Sequence, residues 1–152
     1  MNTTRITFLL LLACGLAACS SKIVRNEPPL AQITSWTIAG PVLKADLNLR
    51  NVNEEELVLN GVQLAVSLED TELVSHQQSL DASIPASGFE SVQLDMTPTA
   101  AGLDALRALE QGEHSSLAYT LEGHVLTSGS GKLQFKREGH IYPMPGRPGR
   151  FR

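Results

Sequence analysis

Val42-Leu43-Lys44-Ala45-Asp46-Leu47-Asn48-Leu49-Arg50-Asn51-Val52-Asn53 decides the fold class. Leu43, Ala45, Leu47 and Leu49 alternate with Lys44, Asp46, Asn48 and Arg50. That period of two is what a strand with one buried and one wet face requires. The run ends in a polar break, Asn51-Val52-Asn53, followed by Glu54-Glu55-Glu56. Upstream, Ile33 to Ile38 reads as a first strand, stopped by Gly40-Pro41, with the only tryptophan, Trp36, as a core or edge-packing residue.

The same logic repeats downstream. Leu57-Val58-Leu59, Asn60-Gly61 and the alternating run Val62 to Leu68 follow. Asn-Gly favours a tight type I′ turn, yet only three apolar-strand residues precede it, so a kink within one longer strand stays open. Glu69 to Glu72 is a polar turn. Leu73 to Leu80 carries His76-Gln77-Gln78 and is too polar for a central position, so it belongs at an edge. Ile84-Pro85-Ala86-Ser87-Gly88 bends the chain, and Val92, Leu94 and Met96 mark the next strand. Then the period changes. Leu103, Leu106 and Leu109 in Pro98 to Gln111 predict one helix, capped by Thr97 or Thr99 and ended by Gly112. Ser116 to Thr127 is a long strand, turned by Ser128-Gly129-Ser130-Gly131 into a hairpin with Lys132 to Lys136. The pattern predicts an all-β, immunoglobulin/fibronectin-III-like antiparallel β-sandwich of about seven strands with one short α-helix.

Length and composition bound the rest. A chain of 152 residues holds one domain. The formal net charge of -4 excludes nucleic acid as the main partner, because phosphate binding needs a clustered positive surface. The two cysteines, Cys14 and Cys19, both precede the domain, which excludes a structural disulfide, a cysteine zinc site or a thiol nucleophile inside it. Residues 139–152 hold three arginines, Arg147, Arg150 and Arg152, among prolines and glycines. This segment is expected to be a flexible basic tail.

The amino terminus reads as an address. Arg5 precedes an apolar run from Ile6 to Ala18, too short to span a bilayer and matched to a secretory signal. It closes on Leu16-Ala17-Ala18-Cys19, which resembles the bacterial lipobox; Cys14 makes a poorer one, since it cuts the apolar run short. The resemblance implies lipidation of the Cys19 thiol, cleavage before it and acylation of the new terminus, palmitate included. Each buried methylene contributes about 0.8 kcal/mol, so three chains hold firmly where one holds marginally. Ser20-Ser21 lacks the Asp associated with inner-membrane retention, which implies the outer membrane, facing the periplasm. The expected organisation is a signal peptide over 1–18, a lipidated tether over 19–29, a domain over 30–138 and the tail over 139–152.

Three stretches, Leu47 to Asn53, Ile84 to Gly88 and Tyr119-Thr120-Leu121-Glu122-Gly123, occur in the order seen in the late embryogenesis abundant group 2 family, also called the water-stress and hypersensitive-response (WHy) domain. The domain resembles that family from about Leu30 to Gly139. Asn51, Asn53, Pro85, Gly88, Tyr119 and Gly123 carry the resemblance. Val52 departs from it, standing where the family has Pro, as does Ser75-His76, where Gly is common. The resemblance implies a fibronectin-III-like sandwich, association with desiccation and related stress, and no enzymatic activity, so no catalytic residues carry over.

The residues themselves point the same way. His76, His114, His124 and His140 include no i, i+4 pair. His124 and Glu122 share a strand face, and Glu54-Glu55-Glu56 forms a charged loop; a solvated surface accounts for both. The sequence contains no nucleophile elbow, phosphate loop or dinucleotide fingerprint. The expectation is therefore a monomer without cofactor or metal, held to the membrane by its acyl chains. It acts either as a protective stress protein or, alternatively, as an adaptor that holds a protein partner through a sheet edge or loop.

Overall fold

The computed structural model describes residues 26–152; the signal segment, Cys14 and Cys19 lie outside the described residues. The elements in chain order are β1 (Leu30–Ala39), β2 (Val42–Arg50), β3 (Leu57–Leu68), β4 (Thr71–Ile84), β5 (Phe89–Met96), α1 (Ala100–Glu110), β6 (Leu117–Thr127), β7 (Gly131–Ile141) and β8 (Arg150–Phe151). They form two four-stranded antiparallel sheets, ordered β5-β2-β1-β8 and β4-β3-β6-β7. This is the expected all-β sandwich with one helix.

β2 lies inside the first sheet, between β1 and β5. Its Leu43, Ala45, Leu47 and Leu49 are all buried, while Lys44, Asp46 and Asn48 face outward. From the second sheet Leu57, Leu59, Val62, Leu64, Val66 and Leu68 of β3 meet them. The inward positions of β3 change from odd to even numbers at Asn60-Gly61, where the pairing with both neighbours slips by one residue. Asn60-Gly61 is therefore a bulge in one long strand and not a hairpin turn. Without the extra residue, half of the strand would present its leucines and valines to water. β1 uses the same device between Ile33 and Ser35, so that Ala31, Ile33 and Trp36 all point into the core.

A third irregularity, where Val66 pairs with Val74 but Ser67 with Glu72, turns Leu73 out of step in β4. The helix docks there. Thr99 N–H donates to the Leu73 carbonyl at 2.8 Å and the Thr99 hydroxyl donates to the Glu72 carbonyl. The same hydroxyl accepts from Gly102 N–H at 3.0 Å, which makes Thr99 the N-cap. A side chain at Gly102 would come within 2.6 Å of the Leu73 Cα, so the close approach requires glycine. The buried face of the helix is Gly102, Leu106 and Leu109, with Leu103 only half-buried. β4 sits at the edge of its sheet, as its polar sequence implied, though it runs on to Ile84.

The expectation of a flexible tail over 139–152 is not met. β7 continues through Gly139 to Ile141, which is fully buried. The chain then folds back, with Tyr142 and Arg152 exchanging two backbone hydrogen bonds of 2.9 and 3.0 Å. Phe151 pairs with Trp36 on β1 and is buried in the core. Gly149 donates to Glu110 at 2.6 Å, which ties the segment to the helix. Composition misled here because Ile141 and Phe151 supply two core residues on either side of the prolines, which need no N–H partner. Arg147, Arg150 and Arg152 remain exposed. Phe151→Ala is expected to cost about 3–5 kcal/mol in denaturant unfolding, whereas a dispensable tail would leave the midpoint unchanged.

Candidate functional site

Asn51 and Thr127 are the buried polar residues of the described chain, and Asn51 is fully buried. It leaves the end of β2 and enters the crossing to β3. Its Nδ2 donates to the carbonyls of Glu55 at 2.7 Å, Pro85 at 3.1 Å and Ile84 at 3.2 Å. Its Oδ1 accepts from the backbone N–H and the Nδ2 of Asn53, at 2.9 and 2.8 Å. The backbone joins the same knot: Asn51 N–H donates to Gly88, and Ser87 N–H to Asn53. The Asn51–Asn53 turn and the Ile84–Gly88 bend are thus two halves of one latch across the end of the sandwich.

The latch requires a planar amide with two donor hydrogens and an acceptor. An Asp would aim an acceptor oxygen, in place of Nδ2, at three carbonyl oxygens. Asn53 plays a different part: its amide exchanges two hydrogen bonds with the backbone of Glu27, at 2.7 and 3.0 Å, and so clasps the chain entering the domain. Gly88 is not in a left-handed conformation. It is small because a Cβ there would come within 3.1 Å of the Pro85 carbonyl; Ser87 takes the positive φ of 56°. Val52 is exposed, and its N–H takes no part in the latch.

Tyr119 and Gly123 belong to a second arrangement. Gly123 faces Phe135 across β6 and β7, and Tyr119 faces Gly139. A Cβ at Gly123 would lie 2.3 Å from the Gln63 carbonyl oxygen and 2.9 Å from the Phe135 ring; at Gly139 it would meet the Tyr119 ring at 2.9 Å. Each aromatic ring therefore lies over the glycine opposite, a known way to stabilise glycine in a sheet. Tyr119 also meets Trp36 edge to face, with centroids 6.1 Å apart, and links the sheets. The partners Phe135 and Gly139 were not among the residues singled out in the sequence. The signal was present, because Tyr119…Gly123 and Phe135…Gly139 repeat one aromatic-to-glycine spacing on two paired strands.

The ionisable groups stay on the surface. No three His, Cys, Asp or Glu side chains converge to hold a metal ion among the described residues. Glu122 is engaged by Lys136 at 2.7 Å and not by His124, and that hydrogen bond, with the charge of Glu122 and then Glu138, raises the Lys136 pKa. His76 lies 3.3 Å from Gln78 Oε1, and His114 is exposed. The carboxylates of Glu54, Glu55 and Glu56 face solvent. Outward-facing Gln77, Gln63, His124 and Gln134 fall in one register row across all four strands of the second sheet. On the first sheet the corresponding row is Gln32, Asn48 and Ser91. The concavities are shallow; one of about 500 Å³ lies beside β1, lined by Trp36, Tyr119, His140, Tyr142 and Arg152 among others. What these surfaces offer is hydrogen bonding, with no assembled acid, base or nucleophile among the described side chains.

A two-sheet sandwich closed by an asparagine latch and presenting amide and hydroxyl rows defines a small β-sandwich module. The sequence pattern of the family described as late embryogenesis abundant protein (LEA_2) matches residues 46–139, from the middle of β2 to the glycine under Tyr119, and the chain belongs to this family. No curated protein matches the chain. Among solved structures it is similar in fold to AT1g01470 from Arabidopsis thaliana, with TM-score 0.62, 12% identity, and coverage of 86% of this chain and 91% of that one. Two others are a protein from Archaeoglobus fulgidus, with TM-score 0.48, 10% identity and coverage of 74% and 96%, and At2g46140.1, assigned to the late embryogenesis abundant group, with TM-score 0.47, 13% identity and coverage of 96% and 87%.

Asn51→Ala should cost about 3 kcal/mol, because it strands buried carbonyls. Asn53→Ala should cost about 1 kcal/mol, since its partners are near solvent. Val52→Pro should be neutral or stabilising by up to about 1 kcal/mol. Equilibrium unfolding of the three variants checks this ranking, and a clear loss of stability in Val52→Pro would mean the turn is not of the family's kind.

Proposed function

We propose that this chain is a lipid-anchored envelope protein of the WHy type. It protects membrane or proteins when water is scarce, and it acts through its folded surface without catalysis. The observation that carries the reading is the composition of the outer faces. Gln63, Gln77, His124 and Gln134 on one sheet, and Gln32, Asn48 and Ser91 on the other, offer hydrogen-bond donors and acceptors that can replace water at a polar surface. Membership of the late embryogenesis abundant family supports it. The anchor rests on Leu16-Ala17-Ala18-Cys19, and the placement at the outer membrane on Ser20-Ser21.

A second reading, an adaptor that holds a partner strand, has one observation in its favour. β8 covers only Trp36 and Thr37 on the outer edge of β1, which leaves Leu30 to Ser35 with β2 as their one strand neighbour. Such an edge accepts an added strand.

Cys19→Ala should move the protein from the membrane to the soluble fraction, and retention would remove the lipoprotein assignment. Deletion should lower survival after drying or osmotic upshift. One stoichiometric partner captured by crosslinking in unstressed cells would decide for the adaptor.

A further inference from the structure

The exposed large apolar side chains of the described residues are Leu30, Val52, Val58, Phe89 and Tyr142. Four of these five lie at one end of the sandwich, the end where the chain enters at Glu27. Three form a patch on the first sheet. Leu30, Arg50 and Phe89 are direct register partners across β1, β2 and β5, all exposed, and the exposed Val52 lies two residues beyond Arg50. Leu30 and Val52 also line one concavity with Pro28 and Pro29. Leu30 is 59% and Phe89 70% exposed, unusual for residues of this size beside a well-filled core. Val58 is at the same end on the opposite sheet.

We propose that this end is a membrane-docking face, with Leu30, Val52 and Phe89 seated in the lipid interface. The proposal rests on the lipid-anchor reading, which supplies the occupant. Eight residue steps separate Cys19 from Glu27, a reach of about 28 Å when fully extended. Asn53 grips the Glu27 backbone, so the entry point is fixed to this end and cannot swing to the far one. A bilayer that holds Cys19 is therefore the apolar surface closest to the patch. Charge refines the expectation. Arg50, Lys136 and Arg137 lie near the patch or its concavity, but Glu27 and the exposed Glu54, Glu55 and Glu56 share the same end. The mixture gives no preference for anionic lipid, so docking is driven by the apolar side chains and is insensitive to salt.

The absence of cysteine from residues 20–152 makes a direct test possible. The lipidated protein carrying Val52→Cys or Asp70→Cys is labelled with bimane and reconstituted in phosphatidylcholine vesicles containing brominated acyl chains. Asp70 lies between β3 and β4, at the opposite end. Strong quenching at position 52 with none at 70, unchanged by salt, is the expected result. Adding Leu30→Ser and Phe89→Ser to Val52→Cys should abolish the quenching while the protein stays with the vesicles. Equal quenching at both positions would overturn the docking face and leave the anchor intact. A concentration-dependent shift at position 52 without vesicles would make the patch a contact between copies and also overturn it. Intact mass without acyl chains would remove the anchor reading and this proposal together.

Discussion

A single side-chain amide governs how the two sheets close. Asn51 follows the inner strand β2 of the first sheet and donates to carbonyls near the end of the crossing into the second sheet and at the end of its edge strand. Buried polar groups without partners cost more than most single contacts return, so a latch of this kind is either complete or destabilising. Here it is complete, and no buried side-chain polar atom among the described residues lacks a partner. The same knot fixes where the chain enters, through Asn53 and Glu27, and so couples the fold to whatever precedes it.

Parity is the second constraint. A strand that changes its inward positions from odd to even must bulge, and the chain does so at Thr34 and at Asn60-Gly61. The β2 strand was legible because its alternation is unbroken over Leu43, Ala45, Leu47 and Leu49. Asn60-Gly61 was ambiguous because the residues that favour a tight turn also favour a bulge. The carboxy-terminal segment was misread because its prolines and glycines outweigh Ile141 and Phe151 in composition, although those two residues decide its burial. Of the site, Asn51, Asn53, Pro85 and Gly88 were legible as two motifs, but their union in one latch was not, since it depends on contacts between Asn51 and carbonyls more than 30 residues away.

The proposed role places function on the surface. In that reading the features that act are the amide rows, the free edge of β1 and the apolar end near Glu27. All three would act by contact. A rigid frame suits that role, because a face whose side chains are held in register can present its donors and acceptors without first paying to order them.

The most direct measurement of this account is native-state hydrogen exchange at the backbone amides of Asn51, Asn53 and Ser87. These donate to Gly88, to the Asn51 side chain and to Asn53. If the latch closes the sandwich, all three exchange only with global unfolding, as slowly as Leu47 and Leu64 in the core, although they lie in loops. Exchange at the rate of an ordinary surface loop, with the core still protected, would show that the sheets hold together without it.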